Sequence, residues 1–342
     1  MLAEALARQI EVTLALPEDH EPPSEIPGVR LRPFALPRLR DPLRQARACM
    51  SLRREIHRNE PDILHLQQGH LWFNALLPTI RPPLALTVHD PRHHVGDAPS
   101  RKTPQWVMDF GFRRAHRLMV HGAHAKRELI EKCAIRESIV DVLPPPLTEP
   151  LPERFSAPSC DPPTVLFFGR IWPYKGLDIL LRAQPLVSRA TPGATFVIAG
   201  QGESLECYRR QIEDAGCFHV INRWIGNAER SDLFRAATVV VLPYIEATQS
   251  GVVPVAYGHA RPVVATRVGA LSEVVREGDT GLLVPPHDER ALANALIRVL
   301  GDRSLQRKLS TGARRFAERE LSPEKMADAT LASYERLLAD SR

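Results

Sequence analysis

Short apolar runs alternate with amphipathic segments along most of the chain. Continuous apolar runs rich in β-branched and aromatic residues are typical of strands buried on both faces of a parallel sheet. They occupy residues 12–16, 63–66, 84–88, 118–120, 139–143, 165–168, 195–199, 220–222, 239–242, 263–266 and 281–284. Helical periodicity falls between them, at about 41–59, 103–115 and 123–134 and throughout 288–342. The alternation predicts an α/β protein with doubly wound sheets.

The chain of 342 residues is about twice the length of a typical domain. Residues 142–163 are dense in proline and lack helical periodicity, which is typical of a semi-rigid spacer. We therefore predict an N-terminal domain over 1–150, a C-terminal domain over 151–320 and a last helix within 321–342.

The segment TVLFFGRIWPYKG, residues 164–176, combines a strand, a turn and the start of a helix. Gly169 ends the strand, Arg170 and Lys175 bring two cations into the turn, and Gly176 precedes an amphipathic run. Backbone N–H groups and the helix dipole favour an anion at such a turn, and the cations neutralise it. The segment predicts a phosphate site.

Further polar and glycine-rich turns follow other predicted strands. Ligands of doubly wound sheets bind beyond the carboxyl ends of the strands. In the first half, the residues in this position are His70, His89, Asp90 and His121. In the second half, they include Gly200, Gly202, Thr248, Gln249, Ser250 and Gly251. Alternative structural roles are a turn cap at His89 or Asp90 and a helix cap at Thr248 or Ser250.

The order of these motifs resembles a known family. Gly-Arg, four residues and Lys-Gly are followed by FVIAGQGE, LPYIEATQSG and ARPVVATRVGALSEVV, over about residues 164–285. This order is similar to that of the retaining nucleotide-sugar glycosyltransferases of family 4. The resemblance implies the GT-B fold, in which two Rossmann-like doubly wound domains face each other across a cleft. It also implies an acceptor-binding first domain, a donor-binding second domain and a final helix that crosses back to the first.

The resemblance implies roles for the candidate residues. It places His89, Arg170 and Lys175 at the reaction centre, and His70, Asp90 and His121 on the acceptor side. The donor-binding set is Gly169, Gly200, Gly202, Trp224, Ile225, Glu246, Thr248, Gln249, Ser250 and Gly251. Trp224 and Ile225 correspond to the loop that holds the nucleobase, although surface packing explains Trp224 equally well.

Two departures from the family pattern leave alternatives open. Family members place two glutamates eight positions apart, where this chain has Ala247 and Val255, and Glu246 stands one residue early. Family members also begin earlier, with a strand and a Gly-Gly loop, and we expect both to be missing from this chain, which would be short at its N-terminus. A catalytically degenerate nucleotide-sugar-binding or scaffold protein is therefore an alternative, as is another GT-B enzyme such as a sugar-nucleotide epimerase.

The resemblance implies transfer of a sugar from a nucleoside diphosphate, UDP- or GDP-linked, to an acceptor hydroxyl with retention of configuration. The acceptor would be a glycan or a lipid-linked molecule in glycan, polysaccharide or glycolipid biosynthesis. No cofactor is expected. A metal is not expected either, because the sequence has no DxD motif and the His93-His94 pair lacks a carboxylate at ligand spacing.

Charge and composition refine the expected partners and location. The net charge is +5, and nine arginines lie between Arg30 and Arg58 against only Asp41 and Glu55. A helix in this segment would either contact anionic lipid headgroups peripherally or present a solvated face. Nucleic acid is not expected, since no binding motif accompanies the charge. Scattered cysteines and the lack of a long apolar run predict a cytoplasmic protein, with peripheral contact at the inner membrane face as an extension.

Overall fold

The computed structural model describes residues 1–17, 25–34, 41–67, 79–94, 104–147, 151 and 161–340. The chain forms two compact units. The first contains residues 1–93, 98–144 and 323–342, and the second contains residues 94–97 and 145–322. No helix among the described residues has both the length and the apolar character to cross a bilayer.

In the first unit, the described strands form two parallel sheets. Strands β1 (Val12–Pro17) and β2 (Val29–Phe34) form a two-stranded sheet. The second sheet has the order β3-β4-β5-β6, with β3 Leu64–Leu66, β4 Leu84–Val88, β5 Arg117–Val120 and β6 Val140–Val142. Strand β4 is buried at every position, as its continuous apolar sequence predicts.

Before residue 145, the described residues of the first unit form four α-helices. They are α1 (Leu2–Ala7), α2 (Pro42–Asn59), α3 (Gln105–Arg114) and α4 (Ala123–Cys133). The start of α2 follows from its sequence, because the Asp41 side chain accepts the Arg44 N–H at 3.0 Å and Pro42 occupies the first turn. The predicted helices at 41–59, 103–115 and 123–134 are confirmed to within about two residues at each end.

The second unit is built on a six-stranded parallel sheet with the order β12-β11-β10-β7-β8-β9. The strands are β7 Thr164–Phe168, β8 Thr195–Gly200, β9 Phe218–Asn222, β10 Val239–Leu242, β11 Val263–Thr266 and β12 Gly281–Val284. The chain runs outward from β7 through β8 to β9 and then returns to the other side of β7 as β10. The loops after β7 and β10 therefore flank the switch point, where doubly wound sheets bind ligands.

The helices of the second unit cover this sheet. They are α5 Leu177–Ala190, α6 Arg209–Ala215, α7 Asn227–Ala236, α8 Val252–Gly258, α9 Leu271–Val274, α10 Glu289–Gly301 and α11 Arg303–Glu320. The last helix, α12 (Pro323–Asp340), belongs to the first unit. There Ala327 packs with Ala5 and Leu6 of α1, and Leu337 packs with Ala85 and Met119 of the sheet.

Candidate functional site

The loops after β7 and β10 are joined through their backbones. The Ile245 N–H donates to the Tyr174 carbonyl at 2.8 Å. Gly176 has φ +67°, and a Cβ on it would collide with the Pro243 carbonyl oxygen. Only glycine allows this approach, so the turn predicted to bind phosphate is fixed against the loop that contains Thr248–Gly251.

The loop after β8 packs on the same turn. Gly200 has φ +146°, and a Cβ there would collide with the Gly169 carbonyl oxygen. A Cβ on Gly202 would collide with the Ile171 backbone. The Asn222 Oδ1 also accepts the Gly202 N–H at 3.3 Å. The structure thus brings Gly169, Gly200 and Gly202 together, and it adds Asn222, which the sequence analysis did not identify.

The two cations of the turn differ in their exposure. Arg170 is exposed, whereas Lys175 is only 8% exposed. The Lys175 Nζ lies 3.7 Å from the centroid of the Tyr244 ring and 4.9 Å from that of Tyr174. The ring faces attract the ammonium and replace part of its lost hydration. One cation is therefore held among aromatic rings and the other is open to solvent.

Tyr244 connects this cation to the predicted TQSG turn. Its hydroxyl is 3.3 Å from the Ser250 Oγ, which also accepts the Val252 N–H at 3.3 Å. Burial raises the pKa of Tyr244, and the Ser250 hydrogen bond and the Arg170 charge oppose this shift only in part. The phenol therefore keeps its proton. The N-cap of α8 is Gly251, so neither Thr248 nor Ser250 is its capping residue, and in the described part of the chain the Ser250 Oγ accepts an N–H only from Val252.

The remaining residues of the TQSG turn differ in burial. Thr248 is buried, Gln249 is partly buried and Gly251 is exposed. Ala247 and Val255, at the positions where family members place glutamates, are both buried. Neither position provides a charge.

Glu246 lies beside a histidine that the sequence analysis considered only as a weak metal ligand. The Glu246 side chain is 43% exposed, and its Oε1 is 3.9 Å from the His94 Nδ1. The His94 ring stacks on Tyr174 with a centroid distance of 4.6 Å and an interplanar angle of 18°. His94 belongs to the second unit, so it extends the aromatic cluster around Lys175. His94 and Tyr174 are about 80 residues apart in the chain, so the local sequence could not indicate that their rings stack.

The loop predicted to hold a nucleobase presents one aromatic side chain to solvent. Trp224 is 78% exposed, whereas the neighbouring Ile225 is buried. Arg223 forms a two-pronged pair with the Glu229 carboxylate at 2.8 and 2.7 Å and donates to the Trp224 carbonyl at 3.1 Å. Arg223, another residue that the sequence analysis missed, thus ties the backbone of the Trp224 loop to α7.

In the first unit, His89 and His121 lie side by side after β4 and β5. Their rings stack with centroids 5.7 Å apart, and the His121 Nδ1 donates to the Pro144 carbonyl at 2.8 Å. Burial lowers the pKa of His121 to about 4, with the His89 charge as the next cause. Burial also lowers the pKa of His89, although Asp90 opposes the shift. Both rings are therefore neutral near pH 7. His70 lies outside the described residues.

Another histidine, His65 on β3, is partly buried and was not identified by the sequence analysis. Its Nδ1 is 2.7 Å from the Tyr334 hydroxyl of α12, and its Nε2 is 2.8 Å from the Thr87 Oγ1. Burial lowers its pKa to about 4, with a smaller contribution from His121. His65 is thus a neutral structural link between the sheet and α12. In the described part of the chain, no three His, Cys, Asp or Glu side chains cluster as metal ligands do.

Two parallel α/β units, the second of them doubly wound with cations, hydroxyls and closely packed glycine turns at its switch point, are the architecture of a GT-B glycosyltransferase. Sequence comparison agrees. Residues 1–148 match the family model described as Glycosyltransferase Family 4, and residues 162–302 match the model described as Glycosyl transferases group 1. The two matches span the chain from residue 1 to residue 302 except for the proline-rich segment. The chain therefore belongs to the family 4 glycosyltransferases.

Individual relatives carry related names. The D-inositol 3-phosphate glycosyltransferase of Nocardia farcinica is 28% identical over 341 residues, which cover 89% of this chain and 76% of the relative. The protein of the same name from Saccharomonospora viridis is 35% identical over 193 residues, which cover 53% of this chain and 44% of that protein. The second match thus spans less than half of its relative.

Solved structures share the fold. Sucrose-phosphate synthase from Thermosynechococcus elongatus superposes with a TM-score of 0.77 and 21% identity, covering 99% of this chain and 92% of that chain. Anabaena HepE in complex with UDP gives a TM-score of 0.71 with 17% identity, covering 90% and 87% of the two chains. At this level of identity, the likeness concerns the fold and confirms the GT-B expectation.

Proposed function

We propose that the protein transfers a sugar from a nucleoside diphosphate to an acceptor hydroxyl with retention of configuration and without a metal. The observation that carries the proposal is the packing of the β7, β8 and β10 loops around Arg170, Lys175 and Ser250. A departing diphosphate is the ligand whose charge and oxygen atoms match two cations and a hydroxyl at a switch point.

In this mechanism the donor site stabilises the leaving group. Negative charge develops on the diphosphate as the glycosidic bond breaks, and donors already in place lower the energy of that state. Arg170 and Lys175 supply the positive charge, and Ser250 supplies a hydroxyl donor. When attack and departure take place on one face of the sugar, the leaving phosphate accepts the proton of the acceptor hydroxyl. The reaction then needs no carboxylate base at the positions of the buried Ala247 and Val255.

We assign the acceptor hydroxyl to the histidine pair of the first unit. His121 donates its Nδ1 proton to the Pro144 carbonyl, so its neutral ring retains an Nε2 lone pair. The pKa of His89 is lowered mainly by burial, which also favours the neutral form. A neutral imidazole accepts a hydrogen bond from a hydroxyl and orients its oxygen for attack.

The donor in this proposal is UDP- or GDP-linked. HepE, which shares the fold, was solved with UDP and glucose, and this supports UDP as the first nucleotide to test. The relatives named D-inositol 3-phosphate glycosyltransferase make inositol phosphate a sensible acceptor to include. Glycan and lipid-linked acceptors complete the panel.

The donor site is tested by titration calorimetry with UDP, GDP and ADP on the parent chain, Arg170→Ala and Lys175→Ala. We expect one nucleotide to bind and to weaken at least tenfold, about 1.4 kcal/mol, in each variant. Arg189→Ala is the matched control, because Arg189 is exposed at the opposite end of α5 and should leave the Kd unchanged. A parent that binds none of the three would favour a scaffold protein.

The chemistry is tested separately with the sugar nucleotide of the base that binds. We expect an NMR-detected product whose anomeric configuration matches the donor and a rate that EDTA leaves unchanged. A product of inverted configuration, an epimerised donor or loss of activity in EDTA would each contradict the mechanism.

We also propose that α2 contacts an anionic membrane surface. Leu43 is 74% exposed and Met50 is 49% exposed on this helix. Exposed arginines lie between and beyond them, and in the described part of the chain Arg47, Arg54 and Arg58 have no ion-pair partner. An exposed apolar stripe among arginines suits an interfacial position.

A further inference from the structure

A single side chain, Tyr244, connects the two groups to which the proposed function assigns the donor diphosphate. Its ring lies 3.7 Å from the Lys175 ammonium, and its hydroxyl lies 3.3 Å from the Ser250 Oγ. The residue is fully buried and follows β10 by two positions.

The backbone of Tyr244 is held in place from both sides. The Thr266 hydroxyl donates to the Tyr244 carbonyl at 2.5 Å. The next residue, Ile245, donates its N–H to the Tyr174 carbonyl at 2.8 Å. Burial and these two hydrogen bonds fix the ring relative to the turn that carries Lys175. A rigid support of this kind positions the groups that bind a ligand.

The hydrogen bonds of Ser250 leave its proton two possible acceptors, the Tyr244 hydroxyl or a ligand. A serine hydroxyl has two lone pairs and one proton. The Ser250 Oγ accepts the Val252 N–H at 3.3 Å. If the protonated phenol of Tyr244 donates to the second lone pair, the Ser250 proton is free to be donated to a ligand oxygen.

We propose that Tyr244 is a positioning residue of the donor site. Its ring orients the Lys175 ammonium, and its hydroxyl donates to Ser250 so that Ser250 donates to the diphosphate. The inference rests on the proposed function of the same site. Tyr244 acts through these two residues and not on the substrate itself.

The test measures the Kd of the nucleoside diphosphate that the parent binds. Tyr244→Phe keeps the ring near Lys175 and removes the hydroxyl, and Ser250→Ala removes its partner. We expect each single variant to raise the Kd about three- to tenfold. The double variant should have the same Kd as the single variant that binds less tightly, because the two groups act as one unit. Tyr244→Leu removes the ring as well as the hydroxyl, so it should weaken binding more than Tyr244→Phe does in the parent, but to the same extent as Tyr244→Phe when Lys175 is replaced by Met.

Tyr257→Phe is the matched control. Tyr257 is also fully buried, and its hydroxyl is 2.6 Å from the Thr280 Oγ1, so its loss removes a similar hydrogen bond. We expect this variant to lower Tm about as much as Tyr244→Phe while its Kd stays within twofold of the parent.

Two results would overturn the inference alone. One is a Tyr244→Phe variant whose Kd lies within twofold of a parent that binds. The other is full additivity of Tyr244→Phe with Ser250→Ala. A parent that binds no nucleoside diphosphate would overturn the proposed function and this inference with it, so the two failures are distinguishable.

Discussion

The buried histidine His121 gives the first unit a stability that depends on pH. Its pKa is lowered from 6.5 to about 4, mainly by burial. The folded state therefore binds fewer protons than the unfolded state in this range. The neutral ring therefore makes its full contribution to the free energy of unfolding above pH 6.5, and this contribution is lost as the pH falls toward about 4.

We predict that His121→Asn reduces this dependence. Asparagine places an N–H donor near the position of the histidine Nδ1, so the bond to the Pro144 carbonyl is kept without a titrating ring. Between about pH 7 and about pH 4.5, the variant should lose about 2 kcal/mol less free energy of unfolding than the parent. Denaturant unfolding at a series of pH values measures the difference.

The control for this prediction is His57→Asn, which changes an exposed histidine on α2 of the same unit. The control should follow the parent at every pH. If His121→Asn has the pH slope of the parent, the ring does not titrate as burial requires.

At the scale of elements, a charged network attaches α12 to the sheet of the first unit. The Asp141 carboxylate on β6 accepts from Arg117 at 2.6 Å and from Ser333 at 2.5 Å. Arg336 approaches the same carboxylate at 3.1 Å, and Arg117 also contacts Asp340 at 2.8 Å. Burial would raise the pKa of Asp141, but Arg117, Ser333 and Arg336 together hold it below its ordinary value.

We predict that Asp141→Ala lowers the free energy of unfolding by about 3 kcal/mol, because it leaves the buried Arg117 without its closest partner. The ionised Asp141 carboxylate contributes to the free energy of unfolding above its pKa in the unfolded chain. This contribution is lost as the pH falls through its lower pKa in the folded protein. Denaturant unfolding near neutral pH measures the effect.

Asp232→Ala is the control for the network. The Asp232–Arg235 pair is 3.2 Å long, but both side chains are at least 60% exposed. Solvent screening limits such pairs to between zero and about 1 kcal/mol. Equal losses in the two variants would mean that the Asp141 network is not a distinct anchor.

The strands could be predicted because burial in a parallel sheet leaves a local signal. Each of the predicted strands lies on a strand of the structure. Strand β2 was missed, because VRLRPF has no continuous apolar run and contains Pro33, which argues against a central strand. The turns with Arg170, Lys175 and Gly200 were found for a similar reason, since cations and glycines directly after a strand are visible locally.

The contacts around Lys175 could not be predicted in the same way. Tyr244 reads as an ordinary apolar residue after a strand, and its contact with Lys175 spans about 70 residues of chain. The contacts of His94 with Tyr174 and of His65 with Tyr334 are also long-range. Sequence periodicity indicates which face of an element is buried but not which partner covers it.

At the scale of the whole molecule, the net charge is +5, and α2 carries a group of exposed arginines, which are Arg44, Arg47, Arg53, Arg54 and Arg58. Each cation near an anionic membrane surface contributes about 1 kcal/mol to the free energy of binding. We therefore predict that Arg47→Gln, Arg54→Gln and Arg58→Gln together weaken co-sedimentation with phosphatidylglycerol-containing vesicles about 100-fold at low salt. Leu43→Gln with Met50→Gln should weaken it further by removing exposed apolar side chains.

The control removes the same charge from the second unit. Arg303, Arg307 and Lys308 are exposed on α11, and their replacement by glutamine lowers the net charge equally. If the membrane attracts the protein only through its overall charge, the two triple variants should lose vesicle binding to the same extent. If α2 is the contact, the α11 variant should bind nearly as well as the parent, and added salt should weaken the parent more than the α2 variant, because exposed charges are screened within about 10 Å at 0.1 M salt.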